Sequence, residues 1–417
     1  MPRAAGPGPI AAPAAGEDRP FGVYVHVPFC VSRCDYCAFA TWTDRFHLAE
    51  RYVAACVAEI RRAPTGWPPS AGALSGGVAP PPAGWPAGVP RPASSVFFGG
   101  GTPSLLPARL LGQLLSAVPI SRGAEVTVEC NPDTVDTATL RSYADVGVTR
   151  LSFGVQSMVP HVLRALGRRH DVEAARAAVR AASAAGFAGR YSVDLIYGAA
   201  GESLEDWRAT ISAVLALDPP PAHVSAYALT VERGTPLAAD RSRHPDPDDQ
   251  ADKYLLADEL FAGAGLRWYE ISNWAAPGAE CRHNQLYWRQ GEYLGVGCAA
   301  HSHARVRHPV AVAGVGGSRR WWNVRTPERY VDQVESGRSV VAAGEVLTPA
   351  EQRLEALQLS LRTRAGVPGT ALAGWREDPA LDGLLATAPG DRAVLTARGR
   401  LLASEVALRL HASPAPR

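Results

Sequence analysis

No stretch of this 417-residue chain approaches the roughly 18 consecutive apolar residues that a membrane-spanning helix requires. Charge of one sign is equally lacking. Charged residues make up 20% of the chain and the net charge is +2, so nothing in the balance points to a nucleic-acid or acidic-membrane partner. Cysteine is sparse, at seven residues, and the odd count argues further against a disulfide framework. The first twenty residues are rich in Ala, Pro and Gly but lack the continuous apolar core of a signal peptide. They are expected to form a disordered tail (1–20) on a cytoplasmic protein. What remains, at 47% hydrophobic, is enough for one large core with a smaller satellite, or for two medium domains.

From residue 21 onward, short β-rich runs alternate with alanine- and leucine-rich stretches. The strand candidates are FGVYVHV, SSVFFGG, AEVTVEC, VTRLSFGV, GRYSVDLIYG and HVSAYALTV. Between them, HLAERYVAACVAEIRR, PARLLGQLLSAV, VEAARAAVRAASAAG and LEDWRATISAVLAL read as helices. Strands alternating with helices imply βαβ units and a parallel sheet. Six units suit a barrel or partial barrel, and a doubly wound sheet satisfies the same pattern. Residues 63–95, crowded with Pro, Gly, Ala and Ser, are expected to be a flexible insertion, with Trp67 and Trp85 in solvated loop. The core is thus expected over 21–240. After the break at RHPDPDDQ, an aromatic- and glycine-rich segment falls within 241–345. A smaller, mainly helical accessory domain follows over 346–417. It opens on a helix with Thr348 as N-cap, Pro349 at its first position and Glu351 at its third.

The densest chemistry lies directly after the first strand candidate, where Cys30, Cys34 and Cys37 form a C-x3-C-x2-C array. Zinc sites usually pair two distant C-x2-C units or add histidines at set spacings. Here there is one group of three, and Cys56, Cys130, Cys281 and Cys298 are scattered. Three thiolates in one loop can hold three irons of a cubane and leave the fourth open to an outside ligand, so the spacing favours iron–sulfur over zinc or unrelated thiols.

Gly99-Gly100-Gly101-Thr102-Pro103 ends the second strand candidate, as either a tight turn or a place where a ligand meets bare backbone. Glu129 and Gln156 fall at the ends of the third and fourth strand candidates, and Asp194 lies within the fifth. In a parallel barrel, side chains at the carboxyl ends of strands line the ligand-binding mouth. One such residue reads as a satisfied core polar group; a set toward the end that carries the cysteine loop reads as a site.

The motifs YVHVPFC-x3-C-x2-C, FFGGGTPS, VECNPD, LSFGVQS and VDLIYG occur in one order over residues 21–235. With them the chain resembles the radical S-adenosylmethionine family of oxygen-independent coproporphyrinogen oxidases. The resemblance implies a partial (βα)6 TIM-like barrel with a [4Fe-4S] cluster on Cys30, Cys34 and Cys37. The amino and carboxylate groups of S-adenosylmethionine would occupy the open iron. Tyr24, Gly100, Gly101, Thr102, Glu129, Gln156, Arg168 and Asp194 match the positions expected to contact that cofactor. Arg168 would pair with its carboxylate and Asp194 would accept from ribose hydroxyls. By chemistry alone, Arg168 in LGRRH reads as a solvated helix start.

Within this family, porphyrinogen-oxidising members carry a further cysteine two places after the third ligand, where this chain has Phe39. The C-x3-C-x2-C-x-F pattern, and His283-Asn284-Gln285-Leu286-Tyr287-Trp288 as H-N-x-x-Y-W, resemble the heme-chaperone branch instead. That branch implies heme as cargo at or near His283, within 241–345, and transfer to an acceptor protein. A membrane-associated acceptor is compatible with a chain that has no membrane segment of its own. On chemistry alone, His283 reads as a locally hydrogen-bonded core histidine, with Tyr287 and Trp288 as packing. His301 and His303 are weaker alternatives, Cys298 reads as a buried small side chain, and Cys130 as a thiol near the cofactor but not a ligand. The competing expectation is an enzyme: radical-mediated decarboxylation of coproporphyrinogen III to protoporphyrinogen IX.

Overall fold

The computed structural model describes residues 20–66, 92–306, 317–372 and 378–412. The tail up to residue 19, and residues 67–91 with Trp67 and Trp85, lie outside the described residues. Six strands run parallel and pair in sequence order: β1 (Phe21–Val27), β2 (Ala93–Gly100), β3 (Ile120–Cys130), β4 (Arg150–Gln156), β5 (Tyr191–Tyr197) and β6 (His223–Ala228). Helices fill every connection: α1 (Ala49–Gly66), α2 (Ala108–Ala117), α3 (Thr137–Asp145), α4 (Pro160–Ala165) with α5 (Val172–Ala184), and α6 (Leu204–Leu215). This is the partial (βα)6 barrel. Its first helix and second strand each reach a few residues into the 63–95 stretch.

Each strand splits its residues by parity, as a pleat of period two demands. Val23, Val25, Val27, Val96, Phe98, Val126, Val128, Leu151, Phe153, Val193, Leu195 and Val224 enter one continuous core under the helices. They meet Leu111 and Leu114 of α2, Val179 of α5 and Trp207 of α6. The intervening positions face the barrel interior and, apart from Phe97, are polar or small: Tyr24, Gly99, Thr127, Glu129, Ser152, Gly154, Ser192, Asp194 and Ser225. Asp136 and Asp171 cap α3 and α5, and Ser203 with Asp206 forms a capping box on α6, so the helix starts are fixed locally.

The sheet continues past both edges to twelve strands. Beyond β6 lies the hairpin β7 (Arg267–Glu270) and β8 (Asn273–Ala275). Beside β1 stand β9 (Glu292–Val296), parallel to it, then β10 (His301–Val306), β11 (Gly317–Asn323) and β12 (Val341–Leu347), all antiparallel. Between β6 and β9 in the chain come α7 (Pro236–Ala239), α8 (Pro247–Gly263) and α9 (Arg282–Trp288), and α10 (Pro327–Glu335) joins β11 to β12. The C-terminal part has its own core around Leu361, Leu372, Leu381, Leu395 and Val406. It combines α11 (Pro349–Leu361), α12 (Ala397–Leu401) and α13 (Ala403–Ala412) with three short strands, β13 (Val367–Pro368), β14 (Leu385–Ala388) and β15 (Arg392–Leu395). Thr348 and Glu351 form the capping box of α11. Arg400 docks this part on the barrel: it grips Asp258 bidentately at 2.9 and 2.5 Å and lies over the Trp268 ring at 4.4 Å.

Two buried polar knots lock the layers. Lys253, the chain's only lysine, is fully buried and donates to the Glu202 carbonyl at 2.7 Å and to Asp249 at 2.5 Å. Glu59 of α1 accepts from Gly297 N at 2.9 Å, from Asn323 Nδ2 at 2.8 Å and from the Tyr330 hydroxyl. Burial outweighs these donors and raises the Glu59 carboxyl to about 7. Above the ordinary carboxylate value the unfolded chain releases a proton that the native state still holds. Native stability therefore falls between about pH 4.5 and 7, by on the order of 3 kcal/mol, and levels off above. Denaturant unfolding at pH 5 and pH 8 should show this loss in the wild type and a flatter profile in Glu59→Gln. Equal slopes in the two proteins would mean that Glu59 is ionised throughout.

Candidate functional site

The loop carrying the three cysteines leaves β1 at the mouth of the barrel and is tied down by backbone. Cys30 N donates to Trp42 O at 3.0 Å and Trp42 N to Pro28 O at 2.8 Å. Beneath it, His26 Nε2 donates to the Ala40 carbonyl at 2.9 Å, which leaves Nδ1 to accept from the Tyr24 hydroxyl at 3.2 Å. The glycine turn after β2 fits directly under this loop, where Gly101 N and Thr102 N donate to Val27 O and Phe29 O at 2.8 and 2.7 Å. A Cβ on Gly101 would lie 2.6 Å from the Phe29 carbonyl oxygen, so here glycine serves close backbone approach. Gly100, at φ +110°, is held to glycine by conformation as well.

Cys30, Cys34 and Cys37 are free thiols, half-buried on one wall of a cavity of about 440 Å³. Burial raises the Cys30 and Cys37 thiols. Among the described residues no three His, Cys, Asp or Glu side chains converge on a single ion. A cubane needs no such convergence, because each thiolate takes its own iron. Arg168 stands where the cysteine loop meets β4. Its Nη1 lies 3.3 Å from Cys34 Sγ, and its Nη2 donates to Asn131 Oδ1 and Gly154 O, both at 2.9 Å. The guanidinium belongs to the cavity and not to a solvated helix start.

The opposite walls come from the strand ends. Glu129 Oε2 accepts from Gly100 N at 3.0 Å, and burial, then the neighbouring Asp194, raises its carboxyl to about 8. Asp194 accepts from Ser152 Oγ at 2.8 Å and is likewise raised by burial. Gln156 closes β4 at φ +67°, where the register slips by one residue. A non-glycine residue in the left-handed region marks backbone strain at the site. Gly100, Gly101, Thr102, Glu129, Gln156, Arg168 and Asp194 thus share one cavity with the three cysteines. Sequence reasoning missed Asn131, which joins Arg168 to Thr102 (Nδ2 to Oγ1, 3.3 Å). The VECNPD motif that contains it was its only signal.

Tyr24 and His283 lie elsewhere. Both line a second, deeper chamber of about 240 Å³ that shares Gly100, Glu129, Ser152, Asp194, Phe39 and Tyr227 with the first. His283, on α9 at the far end of β1 and β2, is 1% exposed. Its Nδ1 meets Ser95 Oγ at 2.9 Å and its Nε2 meets the Tyr287 hydroxyl at 2.8 Å. Burial lowers its pKa to about 3, so the ring is neutral. His303 is buried, with Nδ1 on Gly291 O at 2.8 Å; His301 is exposed and stacks on Trp322 at 5.4 Å. Cys298 is fully buried beside the Tyr52 hydroxyl, and Cys130 lines the larger cavity, its thiol raised by burial. Phe39 is 65% exposed at the entrance common to both cavities.

The radical SAM superfamily model matches residues 87–214. The heme chaperone HemW of Mycobacterium tuberculosis is 38% identical to this chain, covering 95% of it and 96% of the relative. HemW of Escherichia coli is 34% identical over 68% of this chain and 70% of its own length. Among solved structures, the radical SAM enzyme coproporphyrinogen III oxidase (HemN) of Escherichia coli superposes with a TM-score of 0.74. It covers 95% of this chain and 91% of its own at 22% identity, a likeness of fold. By its 38% identity along nearly the whole of both sequences, the chain belongs to the heme chaperone HemW family of radical SAM proteins.

Proposed function

We propose that this chain is a cytoplasmic heme chaperone that carries a [4Fe-4S] cluster on Cys30, Cys34 and Cys37, binds S-adenosylmethionine beside it, and hands heme to an acceptor protein. Three half-buried free thiols on one cavity wall, with Arg168 against Cys34, fit such a cluster. When bound, the cluster would supply an electron and an open iron to the cofactor. Arg168 would donate to the methionine carboxylate, and the glycine turn would offer bare backbone. Glu129 and Asp194 would face the cationic and hydroxyl parts. Among the described residues no helix is long and apolar enough to cross a membrane.

The observation that carries chaperone over porphyrinogen oxidase is Phe39. It projects into solvent at the entrance of both cavities, where the oxidising branch has its additional cysteine. A phenyl ring offers no proton, electron or ligand atom there. Anaerobically reconstituted protein should transfer bound heme to apo-acceptor and give no decarboxylated product from coproporphyrinogen III. Formation of protoporphyrinogen IX would overturn the choice.

The cofactor carries net positive charge, whereas Glu129 holds a proton up to about pH 8. Binding must displace that proton below this pH and need not above it. Affinity for S-adenosylmethionine should therefore rise from pH 7 toward 8.5. Glu129→Gln should weaken it about tenfold and flatten the pH profile. A Gln variant with wild-type affinity and slope would remove Glu129 from the site.

Heme at His283 requires α9 to move. Both ring nitrogens are engaged, and the adjoining 240 Å³ is below the roughly 300–1,000 Å³ of clefts that take drug-sized ligands. Tyr287→Phe removes one of the two hydrogen bonds holding the imidazole and should speed heme uptake; His283→Ala should weaken heme retention with the cluster absorbance intact. Unchanged heme binding in both variants would take His283 out of the ligand set.

A further inference from the structure

The deeper chamber contains a set of polar atoms that neither the cluster nor its cofactor uses. Thr127, Arg150 and His223 are 1%, 8% and 2% exposed. Each leaves one polar atom without a protein partner: Thr127 Oγ1, Arg150 Nη2 and His223 Nδ1. All three residues line the chamber. They are brought together by strand register, with Thr127 opposite Arg150 across β3 and β4. Ser152 then stands opposite Ser192, and Ser192 opposite His223, across β4, β5 and β6. An unpaired buried polar atom costs about 1–3 kcal/mol, so three in one chamber are unfavourable unless something is held there.

The free atoms are of one kind. Arg150 uses Nη1 on the Ala279 carbonyl at 2.9 Å, and Glu125 approaches that same nitrogen at 3.6 Å. Glu125 spends its other oxygen on the backbone N–H groups of Arg282 and His283, at 2.9 and 3.4 Å. The Nη2 protons remain. His223 Nε2 meets the Tyr269 hydroxyl at 2.8 Å; with that hydroxyl donating, Nδ1 carries the ring proton. A guanidinium, an imidazole N–H and a hydroxyl then line one chamber, each with a donor left free. Of the carboxylates lining the chamber, Glu129 accepts from Gly100 N, and Asp194 accepts from Ser152 and Ser225 and feels the Arg150 charge without bonding to it, so the Nη2 protons of Arg150 stay free.

We propose that Arg150, His223 and Thr127 form a carboxylate-binding floor beneath the cofactor cavity, sized for a carboxylate of a few carbons. That carboxylate comes either from a free small acid or from a propionate arm of heme whose ring stays outside. The second source rests on the heme-chaperone reading; the first does not.

The test uses the full, cluster-reconstituted chain and calorimetric titration with propionate, with propionamide as its uncharged isostere. Propionate should bind at least about tenfold more tightly than propionamide. Thr127→Val and Arg150→Gln should each remove that preference. Should Arg150→Gln fail to fold, Thr127→Val still reports, because removing a buried hydroxyl without a partner does not lower the unfolding midpoint and is expected to raise it. Heme and heme dimethyl ester separate the sources. Weaker binding of the ester in the wild type, with the difference lost in Thr127→Val, assigns the heme arm. Propionate binding with heme and ester alike assigns a free acid. A protein that binds no heme refutes the chaperone reading, and the propionate titration still judges the chamber. No preference for propionate over propionamide, together with equal heme and ester affinities, overturns the proposal and leaves a chamber of water.

Discussion

Everything in this molecule depends on the outward side chains of six parallel strands being enough to hold the sheet. Val23, Val25, Val27 and their counterparts on the other strands are buried under α1 to α6. Each fully buried aliphatic side chain contributes roughly 1.5–3 kcal/mol. With the outer face secured, the inner face is free of that duty and can carry Glu129, Ser152, Asp194 and Ser225. An inner face of Val and Leu would be more stable and would have no cavity. The polar lining thus forgoes stability for a site, and the raised carboxyls of Glu129 and Asp194 record the desolvation they bear.

The cysteine loop inherits its position from that arrangement. It has little secondary structure of its own and is held by the His26 ring beneath Ala40, by the Trp42 bridge to Pro28, and by the glycine turn wedged below. Any side chain at Gly101 would bring its Cβ to 2.6 Å from the Phe29 carbonyl and 2.8 Å from that of Val27, so loop and turn define one another. Arg168 then couples this assembly to β4 through Gly154 and to β3 through Asn131. The cavity is tied down by these bonds and opens at Phe39, two residues after Cys37 on the same loop.

The edges of the sheet perform a different task. α9 closes the far end of the barrel, with Glu125 capping its N-terminus and Leu286 and His283 packed against Gly22. Glu59 and Lys253 pin the flanking elements through buried charge and hydrogen bonds. Such pins stabilise less than apolar packing would, yet each is costly to break from one side. Between the closed end and the open mouth, the interior separates into two connected chambers, and the residues shared between them face both.

Much of the fold was legible because its signals are local. Period-two alternation, capping residues and the six strand runs depend only on neighbours in sequence, and the observed strands fall within two residues of the FGVYVHV, VTRLSFGV and GRYSVDLIYG runs at each end. The cysteine spacing, the glycine turn, and the identity of Phe39 were likewise complete in the sequence. What only the tertiary structure decided was which distant side chains meet. Arg168 reaches Cys34 across 134 positions, Tyr24 turns to His26 and the deeper chamber, and His283 is closed by Ser95 and Tyr287. The unpaired atoms of Thr127, Arg150 and His223 carry no sequence signature at all. Their proximity follows from strand register across the barrel, a long-range property that no local pattern encodes.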